Sequence, residues 1–270
     1  MGLAPVVAHA ATSTATGGTM YHDVRNANGT WQPQGWGIPG GSTGFRHVAE
    51  DAMPDGSTQF VGVTSSGVLE HNIRSATGSW QGWDALSQPG VTVTNADIAG
   101  MPNGSSQIVE STTGGAILHN IRNANGSWQQ EGWAYIGAGT SASMAAITGM
   151  PDGSSQLVAV AATGQLMHNI RFANGSWQGW KVVAVDVISR DVYFTSADIA
   201  GMPDGSSQLV DVVLVGNTDE IYHDVRYANG SWQRQGWAQL PNPNSSLPVV
   251  SADIAGMPNG SSQLIALTQD

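Results

Sequence analysis

The stretch of sequence that decides the fold spans residues 144–183 and reads MAAITGMPDGSSQLVAVAATGQLMHNIRFANGSWQGWKVV. Turn signals interrupt it at Pro151–Gly153, at Thr163–Gln165 and, as the hairpin dipeptide Asn-Gly, at Asn174–Gly175. Between the turns lie short apolar or alternating segments, which are typical of strands. We place these strands at 144–149, 156–161, 166–171 and 177–183. The stretch therefore predicts four antiparallel strands and leaves no room for a helix.

The same unit recurs along the chain, marked by two blocks that each occur five times. The block His-Asn/Asp-Ile/Val-Arg begins at His22, His71, His119, His168 and His223. The block Met-Pro-Asp/Asn-Gly-Ser begins at Met53, Met101, Met150, Met202 and Met257. A period of about fifty residues indicates units that bury their faces on one another. Four-stranded antiparallel units repeated around a circle form a β-propeller, so we predict an all-β propeller.

The phase of the repeat predicts how the ring closes. Residues 17–22 match 114–119, so the sequence starts within a unit, and it ends after the second strand of another, at 261–267. The first residues then supply two outer strands and the last residues two inner strands of one shared blade. Such sharing leaves no unpaired strand edge at the ends. We therefore predict a five-bladed propeller that spans residues 17–270 as a single domain.

The first residues have the character of a secretion leader. Ala8-His9-Ala10 has the small-x-small form that signal peptidases cleave. We expect residues 1–16 to be the remainder of such a leader, or a flexible arm, and the protein to be secreted.

Composition excludes several classes of function. The 270 residues carry 20 acidic against 9 basic side chains, a net charge of -11, and no Cys. An anionic surface repels phosphate groups, so we expect no nucleic-acid partner. No apolar run is long enough to cross a bilayer, so we expect no membrane insertion. Absence of Cys removes disulfides, thiolate nucleophiles and Cys-based zinc sites. We expect a monomer.

Candidate ligand-binding residues recur with the repeat. On the third strand, an Asn or Asp is followed two positions later by an Arg, and together they offer the mixed donors and acceptors that sugar hydroxyls need. Trp residues occur in pairs, and a Trp face suits the apolar face of a pyranose. We assign the second Trp of each pair, in Gly-Trp, to the core and the first to the ligand. The predicted ligand-binding residues are Trp31, Trp80, Trp128, Trp177, Trp232, Asp23, Asn72, Asn120, Asn169, Asp224, Arg25, Arg74, Arg122, Arg171 and Arg226.

An alternative interpretation of the same polar pattern stays open. Repeated Asn and Arg side chains between packed sheets could equally tie one blade to the next, since buried polar groups must be hydrogen-bonded. The His of each third strand lies between two aliphatic residues, so we expect a buried, hydrogen-bonded core residue. The acids Asp97, Asp198 and Asp253 are copies of one position, and copies do not provide one acid and one base. We predict no catalytic residue, no metal site and no cofactor.

The repeat resembles those of known lectins. The residues DIAGMPDGSSQLV at 198–210 and HNIRFANGSWQGW at 168–180 are similar to the units of tachylectin-type five-bladed propeller lectins. They also resemble those of bacterial propeller lectins of the fucose-binding type. The resemblance covers 17–270 and implies binding of N-acetylated hexosamines or of fucose-type glycans.

Three functions compete on this evidence. The first is a secreted, non-catalytic lectin with several equivalent sites, whose partners are multivalent glycans. The second is a protein-interaction scaffold or the targeting module of a secreted hydrolase, with the loops 185–195 and 241–248 as binding segments. The third is a five-bladed glycoside hydrolase, which the repetition of the acids disfavours.

Overall fold

The computed structural model describes residues 11–12, 17–41, 43–86, 88, 90–137, 141–183, 192–216, 218–234, 236–244 and 246–269. The described residues form strands and turns and contain no helix. In this part of the chain, accordingly, no helix has the length and apolar character that a membrane crossing requires. The all-β prediction is confirmed.

Three sheets have four antiparallel strands in chain order, which confirms the predicted unit. The first contains β7 (Val93–Gly100), β8 (Ser106–Thr112), β9 (Ile117–Arg122) and β10 (Ala134–Tyr135). The next contains β11 (Ala142–Gly149), β12 (Ser155–Ala161), β13 (Leu166–Arg171) and β14 (Lys181–Val182). The last contains β15 (Val192–Gly201), β16 (Ser207–Val215), β17 (Thr218–Arg226) and β18 (Ala238–Leu240). The fourth strand is shorter than predicted, because Trp177 joins β13 only through an isolated bridge to Arg171.

The sheet that precedes these three has two additional short strands. Its four main strands are β3 (Thr43–Ala52), β4 (Thr58–Thr64), β5 (Leu69–Arg74) and β6 (Asp84–Ala85). The short strands β1 (Ala11–Thr12) and β2 (Gly18–Thr19) both pair with β3. We call β3–β6 blade one, and the three sheets that follow blades two, three and four.

The last sheet holds only β19 (Val249–Gly256) and β20 (Ser262–Thr268). They correspond to the first two strands of a blade. At the other end of the chain, residues 20–37 form a hairpin through the bridges His22↔Gly37 and Arg25↔Trp31, and these correspond to the last two strands of a blade. Among the described residues no strand pairing joins this N-terminal hairpin to β20, so five blades and the shared blade stay predictions.

Two parts of the predicted organisation fall on residues that are not described. Residues 1–10 and 13–16 lie outside the described ranges, and with them the cleavage-site motif Ala8–Ala10. Ala11–Thr12 pairs with Val48 and His47 of β3, so these two residues of the predicted arm belong to a sheet. Of the two candidate binding loops, residues 185–191 and residue 245 are likewise outside the described ranges.

The Met-Pro-Asp/Asn-Gly-Ser block forms the turn between the first and second strands of each blade. In blade three, Asp152 Oδ1 accepts hydrogen bonds from the Ser154 N–H (2.9 Å) and hydroxyl (2.6 Å). Gly153 has φ +82°, a conformation that L side chains rarely adopt. The five copies of the block have nearly the same sequence because each copy forms the same turn.

Successive blades pack face to face through apolar clusters. In one cluster, Val158 and Leu166 of blade three meet Leu209 of blade four, and all three side chains are buried. The first strands approach one another most closely, because a Cβ added to Gly149 would lie 2.3 Å from the Gly100 carbonyl oxygen. Glycine at this position therefore sets the spacing of the blades.

The repeated acids tie one first strand to the next. Asp97 Oδ2 accepts the Ile147 N–H at 2.7 Å, and Asp198 Oδ2 accepts the Ile254 N–H at 2.8 Å. Their burial and these bonds give them a structural role between blades.

All five first strands line one cavity of about 250 Å³. Its polar lining includes His47, Asn95, Ser143, Ser196 and Asp253, one from each of β3, β7, β11, β15 and β19. Five strands around a single cavity place the sheets about a common axis. Among the described residues no three His, Asp or Glu side chains are grouped as a metal site requires.

Candidate ligand site between blades

A chain of three polar side chains crosses each junction between blades. At the junction of blades two and three, Gln107 Oε1 accepts hydrogen bonds from His119 Nε2 (2.9 Å) and from the Ser155 hydroxyl of blade three (2.9 Å). The third strand donates through the His, the second strand supplies the Gln, and the next blade supplies the Ser. The His is thus a buried, hydrogen-bonded residue, as expected from its aliphatic neighbours.

The same chain recurs at three other places, with nearly constant distances. The His–Gln–Ser sets are His71–Gln59–Ser106 (3.0 and 2.8 Å), His168–Gln156–Ser207 (2.9 and 2.9 Å) and His223–Gln208–Ser262 (3.1 and 2.8 Å). The last set links blade four to β20. The position of β20 against blade four therefore repeats the contact between complete blades.

The first Trp of each blade packs edge-on against the His of the preceding blade. The ring centroids of His71 and Trp128 are 5.5 Å apart, and those of His119 and Trp177 are 5.2 Å apart. His168 and Trp232 repeat the contact at 5.6 Å. His22 of the N-terminal hairpin packs in the same way on Trp80 of blade one, at 5.2 Å. The hairpin therefore lies before blade one as each blade lies before the next.

The His rings are neutral at physiological pH. Burial, and secondarily the guanidinium of Arg122 from the next blade, lower the pKa of His71 to about 4. Burial and Arg171 lower the pKa of His119 to about 3, and burial and Arg226 do the same for His168. A neutral ring keeps one N–H, which at each of these junctions is the donor to Gln.

The Arg of each third strand lies beside its own hairpin turn and near the preceding blade. Arg122 places a guanidinium nitrogen 3.1 Å from where a Cβ on Gly126 would be. Arg74, Arg122, Arg171 and Arg226 are half-buried, while Arg25 in the N-terminal hairpin is exposed. At the junctions of complete blades, the guanidinium and the first Trp are thus partly open to solvent, and the His–Gln pair lies behind them.

The Asn and Asp predicted as ligand contacts are placed differently. Asn72 is buried, and its Oδ1 accepts the N–H groups of Ile73 (2.8 Å) and Gly82 (3.0 Å). Asn120, Asn169 and Asp224 are also buried and accept the N–H of the next residue. Asp23 accepts the Val24 N–H and is half-buried. The contacts seen are structural, and a role of these residues toward ligand stays a prediction.

The second Trp of each pair connects neighbouring blades. The indole N–H of Trp133 donates to the Leu86 carbonyl at 3.1 Å, and that of Trp180 donates to the Ile136 carbonyl. Trp237 is buried in the cluster between blades three and four. Trp36 of the N-terminal hairpin is exposed. Trp83, Trp133 and Trp180 are half-buried and pack on the same apolar clusters as Trp80, Trp128 and Trp177, so the assignment of the second Trp to the core and of the first to the ligand stays a prediction.

Gln and Ser of the junction chain are the residues that sequence reasoning missed. A signal was present, because Gln precedes His by 12 residues at Gln59, Gln107 and Gln156. Two side chains that far apart on adjacent antiparallel strands can be cross-strand neighbours. The Ser that completes the chain comes from the following blade, which no local spacing identifies.

Solved structures of several lectins share this fold. A lectin from Burkholderia pseudomallei, BP39L, aligns with a TM-score of 0.62 and 14% identity over 96% of this chain and 80% of that one. A lectin from Aleuria aurantia, in complex with Fucα1-6GlcNAc, aligns with a TM-score of 0.53 and 15% identity over 96% and 86%. The SapL1 lectin, in complex with α-methyl fucoside, gives 0.51 and 13% over 96% and 94%. The chain thus has the fold of β-propeller lectins.

Sequence comparisons add no family. No protein-family model matches the chain, and no curated protein matches it in sequence.

Proposed function

We propose that the protein is a non-catalytic lectin that binds one sugar ring at each junction between blades. The observation that carries the proposal is a partly open Trp and Arg above a neutral His–Gln–Ser chain, repeated at the junctions of blades one to four. A Trp ring packs on the C–H face of a pyranose, and the planar guanidinium donates to neighbouring hydroxyls.

Neutral sugars suit this site better than anions. The protein carries a net charge of -11, which opposes an acidic ligand over long range. Two lectins of the same fold are described with fucose-containing ligands, so fucosides are the first ligands to test. N-acetylated hexosamines come second, from the resemblance to tachylectin-type repeats.

Several sites on one ring provide avidity. A shallow site that binds with mM affinity contributes about -4 kcal/mol. Copies held on a rigid scaffold raise the avidity about 10²–10⁴-fold toward a multivalent target. This gain explains why the copies stay alike, and the partner we propose is a glycan-bearing surface outside the cell. Secretion as a monomer agrees with this role.

The proposal includes five blades and the shared blade. Among the described residues no Trp ring packs on His223 as Trp128, Trp177 and Trp232 pack on the His of the other three sets. Trp31 of the N-terminal hairpin is 56% exposed, whereas its counterparts in complete blades are half-buried. Pairing of the hairpin with β20 would bring Trp31 over His223 and complete a fifth junction.

Titration calorimetry with methyl α-L-fucoside and with N-acetylglucosamine tests the function. We expect wild-type protein to bind one of them at mM concentration, and Trp128→Ala to lose one site. Tyr135→Ala removes an exposed aromatic from the outermost strand of the same blade and is the matched control. Equal stoichiometry and affinity in Trp128→Ala, or no binding by the wild type, contradicts the proposal.

A further inference from the structure

The residue that follows the Arg of each third strand is polar in three copies and aromatic in two. It is Asn26, Ser75, Asn123, Phe172 or Tyr227. The two aromatic copies are exposed, Phe172 by 42% and Tyr227 by 45%. Single exposed aromatic side chains are ordinary on a protein surface, so what distinguishes these two is their position at the blade junctions.

Backbone geometry places Phe172 at the mouth of the junction between blades three and four. Its N–H donates to the Ser176 carbonyl, and its own carbonyl accepts from Gly175, both at 2.8 Å. The hairpin pairing therefore continues through Phe172, and side chains keep alternating. Phe172 then shares a face with His168, which meets Trp232 of blade four.

The opposite wall of the same junction also differs. Blade four presents Tyr222 and Asp224 where blades one to three have Glu70 and Asn72, Leu118 and Asn120, and Met167 and Asn169. Tyr222 packs against the cluster that contains Val158 and Leu166 of blade three, so it lies in this junction. Its hydroxyl donates to Glu220 at 2.7 Å.

An aromatic residue after the Arg of one blade and a Tyr-x-Asp sequence in the next blade occur together at a second junction. Tyr227 shares a face with His223, by the same alternation that applies to Phe172 and His168. The N-terminal hairpin, which would cover His223 in the closed ring, carries Tyr21 and Asp23 in place of Tyr222 and Asp224. An aromatic rim on one blade thus pairs with a Tyr-x-Asp wall on the next in both places. Two sequence changes on different blades that coincide at the same junctions indicate two classes of site.

We infer that the junction between blades three and four binds a disaccharide or longer glycan, with the Phe172 ring packed on the second sugar, whereas the junctions with Ser75 or Asn123 hold a single sugar. This inference rests on the proposed function and adds a distinction among its sites. The Tyr227 junction joins the extended class where the ring closes.

The physical reason is the chemistry of the rim. A sugar that continues beyond the junction lies over the hairpin, where Phe172 offers an apolar ring and Asn123 offers only hydrogen bonds that water already makes. An aromatic contact of this kind contributes about 3- to 10-fold in affinity. A monosaccharide does not reach the rim and gains nothing from it.

Two reciprocal substitutions test the inference with Fucα1-6GlcNAc and methyl α-L-fucoside as probes. Phe172→Asn installs the residue of two other copies, and Asn123→Phe adds a rim aromatic to the junction of blades two and three. We expect the number of tighter disaccharide sites, measured by calorimetry, to fall by one in Phe172→Asn and to rise by one in Asn123→Phe. Monosaccharide affinity should change less than twofold in both.

The outcomes separate the inference from the proposed function. Unchanged disaccharide isotherms in both variants, with monosaccharide binding intact, overturn the inference alone. No binding of either probe to the wild type overturns the proposed function for these sugars, and the inference with it. An equal loss of monosaccharide affinity in Phe172→Asn would show a general effect on the site and would also overturn the inference.

Discussion

Two buried carboxyl groups stand out at the scale of single residues. Glu110 in β8 and Asp211 in β16 have no accessible surface, and neither has a hydrogen-bond partner among the described residues. The corresponding positions in blades one and three are Gly62 and Ala159. Burial raises the pKa of Glu110 to about 7, and burial with the nearby Asp198 and Asp224 raises that of Asp211 well above its usual value. These acids hold protons that an exposed carboxyl would release.

Glu110→Gln tests this protonation through the pH dependence of stability. The pKa of Glu110 is about 7 when folded and 4.5 when exposed, so the folded state binds the proton more tightly. The stability that this tighter proton binding contributes is therefore present below pH 4.5 and is lost as the pH rises through 7. Between pH 4 and 8 we expect wild type to lose about 3 kcal/mol more than Glu110→Gln, measured by chemical unfolding. The exposed Glu131→Gln serves as control, and parallel pH profiles for wild type and Glu110→Gln would refute the assignment.

At the scale of elements, the His–Gln–Ser chain joins three strands from two blades. A Gln whose oxygen accepts two hydrogen bonds connects the second strand to the third strand of its own blade and to the second strand of the next. The three sets between complete blades are buried, so losing the acceptor there leaves two donors without partners in a dry environment. This connection explains why the Gln and the His recur in register in four sheets.

Gln107→Ala should therefore destabilise the protein by about 2–4 kcal/mol, because His119 Nε2 and the Ser155 hydroxyl both lose their acceptor. Thermal or denaturant unfolding measures the loss. Gln130→Ala, an exposed Gln of the same blade, should change stability by less than about 0.5 kcal/mol. Equal stability of the two variants would contradict the role of the junction chain.

At the scale of the whole molecule, the ends of the chain repeat contacts that complete blades make. Ser262 bonds to Gln208 of blade four, and His22 packs on Trp80 of blade one. Between these ends, β20 remains exposed, with Ile265 62% accessible. One local difference concerns β3, since Ala52 stands where the other first strands have Gly100, Gly149, Gly201 and Gly256. A Cβ at those glycines would lie 2.3–2.5 Å from a carbonyl oxygen of the first strand of the preceding blade, so in the closed ring that we propose β19 and β3 lie farther apart than the other neighbouring first strands.

A pair of engineered cysteines tests closure in a chain that has no native Cys. Glu110 pairs with Leu118 in blade two, and the matching residues of β20 and the N-terminal hairpin are Ala266 and Tyr21. Directly opposed residues lie close enough for a disulfide. We expect Tyr21→Cys with Ala266→Cys to form an intrachain disulfide on mild oxidation, detected by mass spectrometry. Tyr21→Cys with Ala159→Cys should not, and disulfide-linked dimers in place of the intrachain bond would show that the ends pair between copies.

The repeat determined the strands, the turns and the order of the sheets, because alternation, Asn-Gly hairpins and Pro-Asp-Gly turns act over a few residues. The buried His followed in the same way from its neighbours along one strand. Local pattern could not separate a polar side chain that braces its own strand, such as Asn72, from one that stays open at a junction, such as Arg122. Gln107 and Ser155 meet only because two blades stack. Phe172 lies at a junction only because blade four follows blade three. Contacts between blades depend on the packing of whole sheets, and for that reason only the tertiary structure decided which of the repeated residues come together at the candidate site.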